Sequence, residues 1–231
     1  MRATGRKFQK AALGVAFFFA FLLILLPLGP QAAPAQDQAL IAAADRGDGA
    51  AVQRLLREGA SLGARDARGR TALLAATHGN RIEAARLLIA AGADVNAKDA
   101  IGDSPFLYAG AEGRNEILKM TLAAGADLKS TNRYGGAALI PAAHHGHVET
   151  VKILLATAID KDHVNKLGWT ALLEAVILGN GGAAHTEIVR LLVTAGANVN
   201  LADRDGVTPL AHARRRGFAA IGRILETAGA R

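Results

Sequence analysis

The chain has 231 residues, of which 51% are apolar but only 4% aromatic, and it contains no cysteine. The lack of cysteine excludes disulfides, cysteine-ligated zinc and thiol nucleophiles. The formal net charge is +7, but the first 35 residues supply four basic residues and no acid, which leaves 23 basic against 20 acidic residues elsewhere. A surplus this small is not typical of a nucleic-acid-binding protein, so we expect no nucleic-acid partner.

Residues 1–35 have the order of features found in a secretory signal peptide. Four basic residues stand in the first ten positions, an apolar run extends from Ala11 to Leu26, and residues 33–35 form an A-x-A cleavage signal. We therefore predict export to the periplasm and a mature domain of residues 36–231. The alternative is an uncleaved inner-membrane anchor, in which residues 11–28 contact the bilayer and the remainder faces the periplasm.

A sequence period of 33 residues runs through the rest of the chain and predicts its architecture. Each copy has two short apolar segments separated by a glycine or an asparagine, which predicts two helices joined by a left-handed turn residue. The copies start at Gln38, Thr71, Ser104, Ala137, Thr170 and Thr208, and only the last interval, of 38 residues, departs from the period. The predicted left-handed residues are Gly47, Asn80, Gly113, Gly146, Gly179 and Gly217.

The ends of the predicted helices carry their own signals. Thr71, Ser104, Thr170 and Thr208 stand where the first helix needs an N-cap. Two of them are followed by a proline, which is tolerated at the first helical position. After the second helix, segments such as Gly92-Ala-Asp-Val-Asn96 predict a helix end followed by an extended hairpin. The hairpin tips carry Gly69, Gly102, Gly135, Gly168 and Gly206.

These units resemble the ankyrin-repeat family, whose repeats begin with T-P-L-H-x-A and end their helices with G-A-D-V-N. The resemblance covers residues 38–231 and implies an all-α solenoid of six helix pairs with short β-hairpins. It also implies a monomeric, non-enzymatic scaffold that binds another protein without a cofactor or metal. The implied units lie near residues 38–66, 67–99, 100–132, 133–165, 166–203 and 204–231.

Several stretches are similar in wording to bacterial exported ankyrin proteins. Examples are Ala100-Ile-Gly-Asp-Ser-Pro105 and Leu167-Gly-Trp-Thr-Ala-Leu-Leu-Glu174. One relative of that kind is associated with a periplasmic catalase in peroxide defence. The resemblance therefore implies an envelope scaffold that supports a partner enzyme, whereas a membrane-anchored structural protein of the envelope remains the alternative.

The tips of neighbouring units offer a candidate partner-binding surface. The aligned tip residues Ile101, Tyr134 and Leu167 form an apolar stripe, and Trp169 follows two residues after Leu167. Exposed aromatic and aliphatic clusters are typical of binding hot spots. The alternative is that Tyr134 and Trp169 fold back onto their own hairpins and serve as packing.

The fifth unit contains an insertion that forms a second candidate. Five extra residues, within Asn180–His185, are expected to lengthen the turn between its two helices, and His185 is a candidate partner contact. Insertions in repeat proteins often mark a functional face. A tolerated surface insertion is the alternative, since longer loops cost little entropy.

Two further features bear on metal and membrane binding. His144, His145 and His147 form a cluster, but their spacing does not place two ligands on one helical face, so no metal site is expected. A series of one basic residue per unit favours either a contact with anionic lipid or, more simply, a solvated helix face. The series consists of Arg86, Lys119, Lys152, Arg190 and Arg223.

Overall fold

The computed structural model describes residues 35–231. The predicted signal segment lies outside the described residues, apart from Ala35, where the first helix begins. The described part contains twelve helices in six consecutive pairs. They are α1 Ala35–Arg46, α2 Gly49–Arg57, α3 Ala72–His78, α4 Ile82–Ala90, α5 Pro105–Ala111, α6 Asn115–Ala123, α7 Leu139–His144, α8 Val148–Leu155, α9 Ala171–Ile177, α10 Ala183–Thr194, α11 Pro209–Arg215 and α12 Ala219–Thr227.

The pairs stack in chain order and bury one continuous apolar core. Each first helix packs on the first helix of the next unit, and each second helix does the same, so two parallel layers run along the molecule. Leu73, Leu139 and Leu172, at equivalent positions of three first helices, are each 1% exposed. Because a single helix pair cannot bury its own apolar face, stacking supplies the stability. The predicted helical solenoid is confirmed.

All four predicted side-chain caps form, one in each of units two, three, five and six. The side chains of Thr71, Ser104, Thr170 and Thr208 each accept a hydrogen bond from the amide three residues later, at 3.2–3.3 Å. The fourth unit has Ala137 at this position and no side-chain cap. Its first helix starts one residue late and has only six residues, as expected when the orphan amides of the first turn lack a side-chain acceptor.

The left-handed turn residue is confirmed in five units but not in the fifth. Asn80 has φ 52°, and the aligned glycines of units one, three, four and six also have positive φ. In unit five the positive φ is at Gly181, not at Gly179. The insertion was expected to lengthen the turn between the two helices of unit five, but it lengthens α10 more than that turn. α10 has 12 residues, whereas the other second helices have eight or nine. Ala183 and Ala184 are strong helix formers and extend α10 at its start.

The predicted β-hairpins were wrong, since residues 35–231 contain no strand. Each tip is a tight turn closed by two backbone hydrogen bonds, such as those from Asn132 N to Gly136 O at 3.0 Å and from Gly135 N to Asn132 O at 2.9 Å. The side chain of the first tip residue accepts from the amides two and four residues later, as Asn132 does from Tyr134 and Gly136. Because the side chain engages these amides, the tip does not develop a strand ladder.

Candidate protein-docking groove

The tips form a row along one edge of the stack. Ile101, Tyr134 and Leu167 are 51%, 54% and 49% exposed. Neighbouring tips are joined by backbone hydrogen bonds, from Ala100 N to Arg68 O at 3.1 Å and from Lys166 N to Tyr134 O at 2.9 Å. The tips of Ile101 and Tyr134 are linked instead by the ion pair of Arg133 and Asp103 at 3.4 Å. The row is therefore a connected surface with three large apolar side chains in sequence, as the period predicted.

A groove of about 500 Å³ lies between this tip row and the first helices. Ile101, Tyr134 and Leu167 line it from the tips, and Ile140 and Leu178 line it from the helices. The groove thus brings together three of the predicted partner-binding residues. We call this space the docking groove.

Trp169 occupies a different position from these three. It is half-buried, its amide donates to Asn165 Oδ1 at 3.0 Å, and its carbonyl accepts from Asn165 N at 3.0 Å. Trp169 therefore closes the tip turn directly before the helix cap Thr170. Trp169 is not among the residues that line the docking groove, and its half-burial favours the packing alternative for this residue.

His185 is an internal link between units rather than a partner contact. It is 8% exposed, Nε2 lies 2.8 Å from His144 O, and Nδ1 lies 3.1 Å from Asn180 Oδ1. A β-carbon on Gly179 would lie 2.5 Å from its ring, so the imidazole fills the space that this glycine leaves open. This burial contradicts the predicted role of His185 in partner binding.

A buried carboxylate, which no sequence motif had marked, lines the docking groove from α9. The side chain of Glu174 is 8% exposed, and its Oε1 accepts a 2.8 Å hydrogen bond from Asn165 Nδ2. Burial raises its pKa to about 7, although the bond from Asn165 opposes the shift. The sequence does carry one sign of this site. Glu174 is an acidic residue within the apolar stretch 171–177, at the helix position that Ala75 occupies in unit two.

In the sixth unit the acid stands at the tip and its partner on the helix, which is the opposite of Asn165 and Glu174 in unit five. There the tip residue is Asp203, and its Oδ2 lies 2.7 Å from Nε2 of His212, which stands at the helix position of Glu174. Burial opposes ionisation of Asp203, but hydrogen bonds from Val207 N and His212 outweigh it and lower its pKa. The Asp203 carboxylate thus has a potentially cationic partner, whereas the Glu174 carboxylate has a neutral amide.

The other end of the docking groove is aromatic and polar. The rings of His78 and Tyr108 are stacked with centroids 3.7 Å apart, and burial lowers the pKa of His78. Arg133 lies 4.8 Å above the ring centroid of Tyr134 and 3.4 Å from Asp103. The guanidinium is therefore already engaged by a carboxylate and an aromatic face.

The three clustered histidines make separate contacts. His145 Nδ1 lies 2.8 Å from Ala111 O, and the ring of His147 packs against Gly113. His144 Nδ1 instead lies 3.7 Å from Glu174 Oε2. Within residues 35–231, no group of three histidine or acidic side chains is placed to hold a metal ion.

Four of the five members of the basic series on the second helices are paired with acids, and among the described ion pairs none involves Arg223. Arg86, Lys119 and Lys152 each pair with the glutamate three residues earlier, at 3.3, 3.0 and 3.8 Å, and Arg190 pairs with Glu187 in the same way. These exposed pairs leave little net positive charge on that face, which favours the solvated-face alternative over lipid binding. Among the described helices, none is both long and apolar enough to cross a bilayer.

Comparisons with known proteins agree with this architecture. A family model described as ankyrin repeats (3 copies) matches residues 16–99 and 106–203. The fold is similar to that of an ankyrin repeat domain from Acinetobacter baumannii AYE, with 59% identity, a TM-score of 0.81, and coverage of 83% of this chain and 98% of that one. It is also similar to the ankyrin repeat protein EF0377, with 43% identity, a TM-score of 0.79, and coverage of 81% and 96%.

Two further proteins are similar, one at lower sequence identity and the other over a shorter segment. The ankyrin repeat domain of Bcl-3, a member of the IkappaB family, is 31% identical with a TM-score of 0.75, over 84% of this chain and 86% of that one. The Escherichia coli (strain K12) ankyrin repeat protein YahD is 47% identical over 57 residues. That match spans 25% of this chain and 28% of YahD.

The family model covers more than half of the chain, and the protein belongs to the ankyrin-repeat family. Ankyrin repeats are protein-interaction modules, in which a stack of helix pairs presents one surface shared by several units. Residues of four units line the docking groove.

Proposed function

We propose that this protein is a non-enzymatic scaffold that binds a partner protein in the docking groove. The observation that carries the proposal is the exposed row of Ile101, Tyr134 and Leu167, which continues into a groove of about 500 Å³. Large apolar side chains exposed in a contiguous row are typical of interaction sites, and aromatic residues dominate their binding energy. The scaffold acts as a monomer and uses no cofactor or nucleic acid.

The partner belongs to the cell envelope. The charge and hydrophobicity of residues 1–35 and their A-x-A signal support export to the periplasm. The resemblance to exported bacterial ankyrin proteins supports a partner enzyme there, such as one in peroxide defence. Sequencing the N-terminus of the mature protein tests this location, and a start near Gln36 is the expected result.

A membrane-anchored structural protein of the envelope is the second candidate. It is supported by the apolar run within residues 11–28, which provides membrane contact if the segment is retained. Mature protein that still begins at Met1 and stays with the inner membrane after a salt wash would favour this candidate. The paired charges on the second helices offer it no further support.

Photo-cross-linking in the native host tests the docking surface directly. A benzoylphenylalanine placed at position 134 is expected to give one dominant adduct, which mass spectrometry then identifies. The matched control places the same group at Lys119, an exposed position on the second helix of a neighbouring unit. Equal adducts at both positions, or none at position 134, would contradict the proposed groove.

A further inference from the structure

We propose that the docking groove contains a binding site for a primary ammonium group, namely a lysine side chain of the bound partner, on the carboxylate of Glu174. This inference rests on the proposed function, because it specifies the chemistry of the partner segment that the groove accepts. The two oxygens of Glu174 differ in their surroundings.

One oxygen of Glu174 is engaged and the other is open. Oε1 accepts from Asn165 Nδ2 at 2.8 Å. Among the described residues, the nearest cationic candidate to Oε2 is His144 Nδ1 at 3.7 Å, which is too long for a hydrogen bond. A carboxylate that is 8% exposed with a single neutral donor is poorly stabilised in its charged form. A cation that enters the groove would stabilise it.

The ionisable groups around Glu174 do not supply that cation at neutral pH. His144 on α7 has a lowered pKa, because it is desolvated and lies near His145 and His185. His185 on α10 is bonded to His144 O and Asn180, and His212 on α11 is bonded to Asp203. Each helix packed against α9 thus presents a histidine, but none of the three forms a hydrogen bond with Glu174.

The charge of the groove as a whole also favours a positive ligand. Its lining has three carboxylates, on Asp103, Glu112 and Glu174, and one guanidinium, on Arg133. Arg133 is held by Asp103 at 3.4 Å and by the ring of Tyr134, so it does not reach out to neutralise the others. Complementary charge selects partners and sets their register in an interface.

The shape of the site distinguishes lysine from arginine. Because Oε1 is occupied, only Oε2 is available, and a single oxygen suits a compact ammonium better than the two-pronged guanidinium. Leu167 and Leu178 line the same groove, are 49% and 42% exposed, and offer apolar surface to the four methylene groups of a lysine. A lysine flanked by apolar residues would therefore bury its stem against these leucines and place its head on Glu174.

Defined peptides test this site with the protein as its native host produces it. The probes are acetyl-Ala-Leu-Lys-Leu-Ala-amide and two analogues with norleucine or arginine at the centre. Binding is measured by calorimetry and by the fluorescence of Trp169, the only tryptophan, which closes the tip beside the groove. The lysine peptide is expected to bind about tenfold more tightly than the norleucine peptide, as one charged hydrogen bond provides. The arginine peptide is expected to bind less tightly than the lysine peptide.

The variant Glu174→Gln separates the carboxylate from the rest of the groove. It keeps an oxygen for Asn165 but removes the charge, so the lysine preference should disappear. Glu149→Gln removes the same charge from the exposed face of α8, outside the docking groove, and should retain the preference. Thermal unfolding of both variants checks that each is folded.

Proton release on peptide binding reports the ionisation of Glu174. It would not be observed if Glu174 had only a structural role. Because burial raises the pKa of Glu174 to about 7, part of the population carries a proton at pH 7, and binding of the ammonium should displace a fraction of a proton per peptide. Affinity for the lysine peptide should fall as the pH drops from 8 to 6, and this dependence should vanish in Glu174→Gln.

Three results would overturn the ammonium site. They are equal binding of the lysine and norleucine peptides, a lysine preference that survives in Glu174→Gln, and no binding by any of the peptides. Arginine binding as tight as lysine binding would overturn the single-oxygen geometry. A cross-linked partner at position 134 would leave the docking function intact in each case, so the two proposals fail separately.

Discussion

Phe218 packs over Gly181 so closely that a β-carbon at position 181 would lie 2.5 Å from Cδ1 of the ring. Gly181 also has φ 69°, a conformation that residues with a side chain rarely adopt. The insertion of the fifth unit is thereby fixed to the start of the sixth, because Phe218 is the residue that precedes α12. The inserted segment is an inter-unit contact and not a free loop.

Replacing Gly181 with alanine should therefore lower the free energy of unfolding. The positive φ costs alanine about 1–2 kcal/mol, and the contact with Phe218 adds about 1–3 kcal/mol. Urea unfolding measures the sum. The matched control is Gly217→Ala, since Gly217 has φ 70° but a β-carbon added there would meet no atom within 4 Å. A loss equal to that of the control would show that Phe218 does not restrict position 181.

The missing cap of the fourth unit offers a stabilising change. Ala137→Ser places a hydroxyl where Ser104 accepts from Leu107 N in the preceding unit. Ile140 N now donates to Ala137 O at 3.0 Å, in a tighter turn than the capped units have. We expect a gain of about 0.5–1 kcal/mol in the free energy of unfolding, because the hydroxyl offers this amide the side-chain cap of the other units. Ser104→Ala is the converse control and should lose a similar amount. Equal stability of the Ala137→Ser variant and the parent would contradict the capping argument.

Glu174 should make stability depend on pH. Its pKa is about 7 in the folded state and near 4.5 when exposed, so the folded state holds the proton more tightly. The stabilisation is fully present below pH 4.5 and is lost as the pH rises towards 7, by an amount on the order of a few kcal/mol.

Unfolding of the parent and of Glu174→Gln at pH 5 and pH 8 isolates this effect. The parent should lose more stability between the two values than the variant does, because glutamine does not ionise. Parallel changes in both proteins would contradict the raised pKa of Glu174.

Tyr134→Ala should weaken binding of the cross-linked partner without unfolding the solenoid. Tyr134 is 54% exposed, so truncation removes contact area from the docking groove but little from the core. Aromatic hot spots commonly lose about 2 kcal/mol or more on truncation. The matched control is Val164→Ala, since Val164 is 50% exposed in the loop before Asn165. Similar losses of affinity in both variants would contradict a specific role for Tyr134.

Local signals made much of the fold predictable from the sequence. The 33-residue period, the threonine and serine caps and the left-handed Asn80 each depend on interactions within a few residues, so they can be read without knowledge of neighbours. The row of Ile101, Tyr134 and Leu167 was also predictable from the period, because equivalent positions of stacked units lie side by side.

Other features depend on contacts between units, which are far apart in the sequence. The period predicted the left-handed turn of unit five at Gly179, but the rings of His185 and Phe218 fill the space around Gly179 and Gly181, and the turn forms at Gly181. His185 is buried because the end of α7, in the preceding unit, offers it the carbonyl of His144.

Stacked helix pairs with an apolar row at their tips are specified by the amino-acid sequence alone, because period and capping are local properties. The buried carboxylate of Glu174, with its raised pKa in the docking groove, follows instead from the assembled fold. Burial depends on how α7, α10 and α11 close around α9, and desolvation of a charge arises only after that packing is complete.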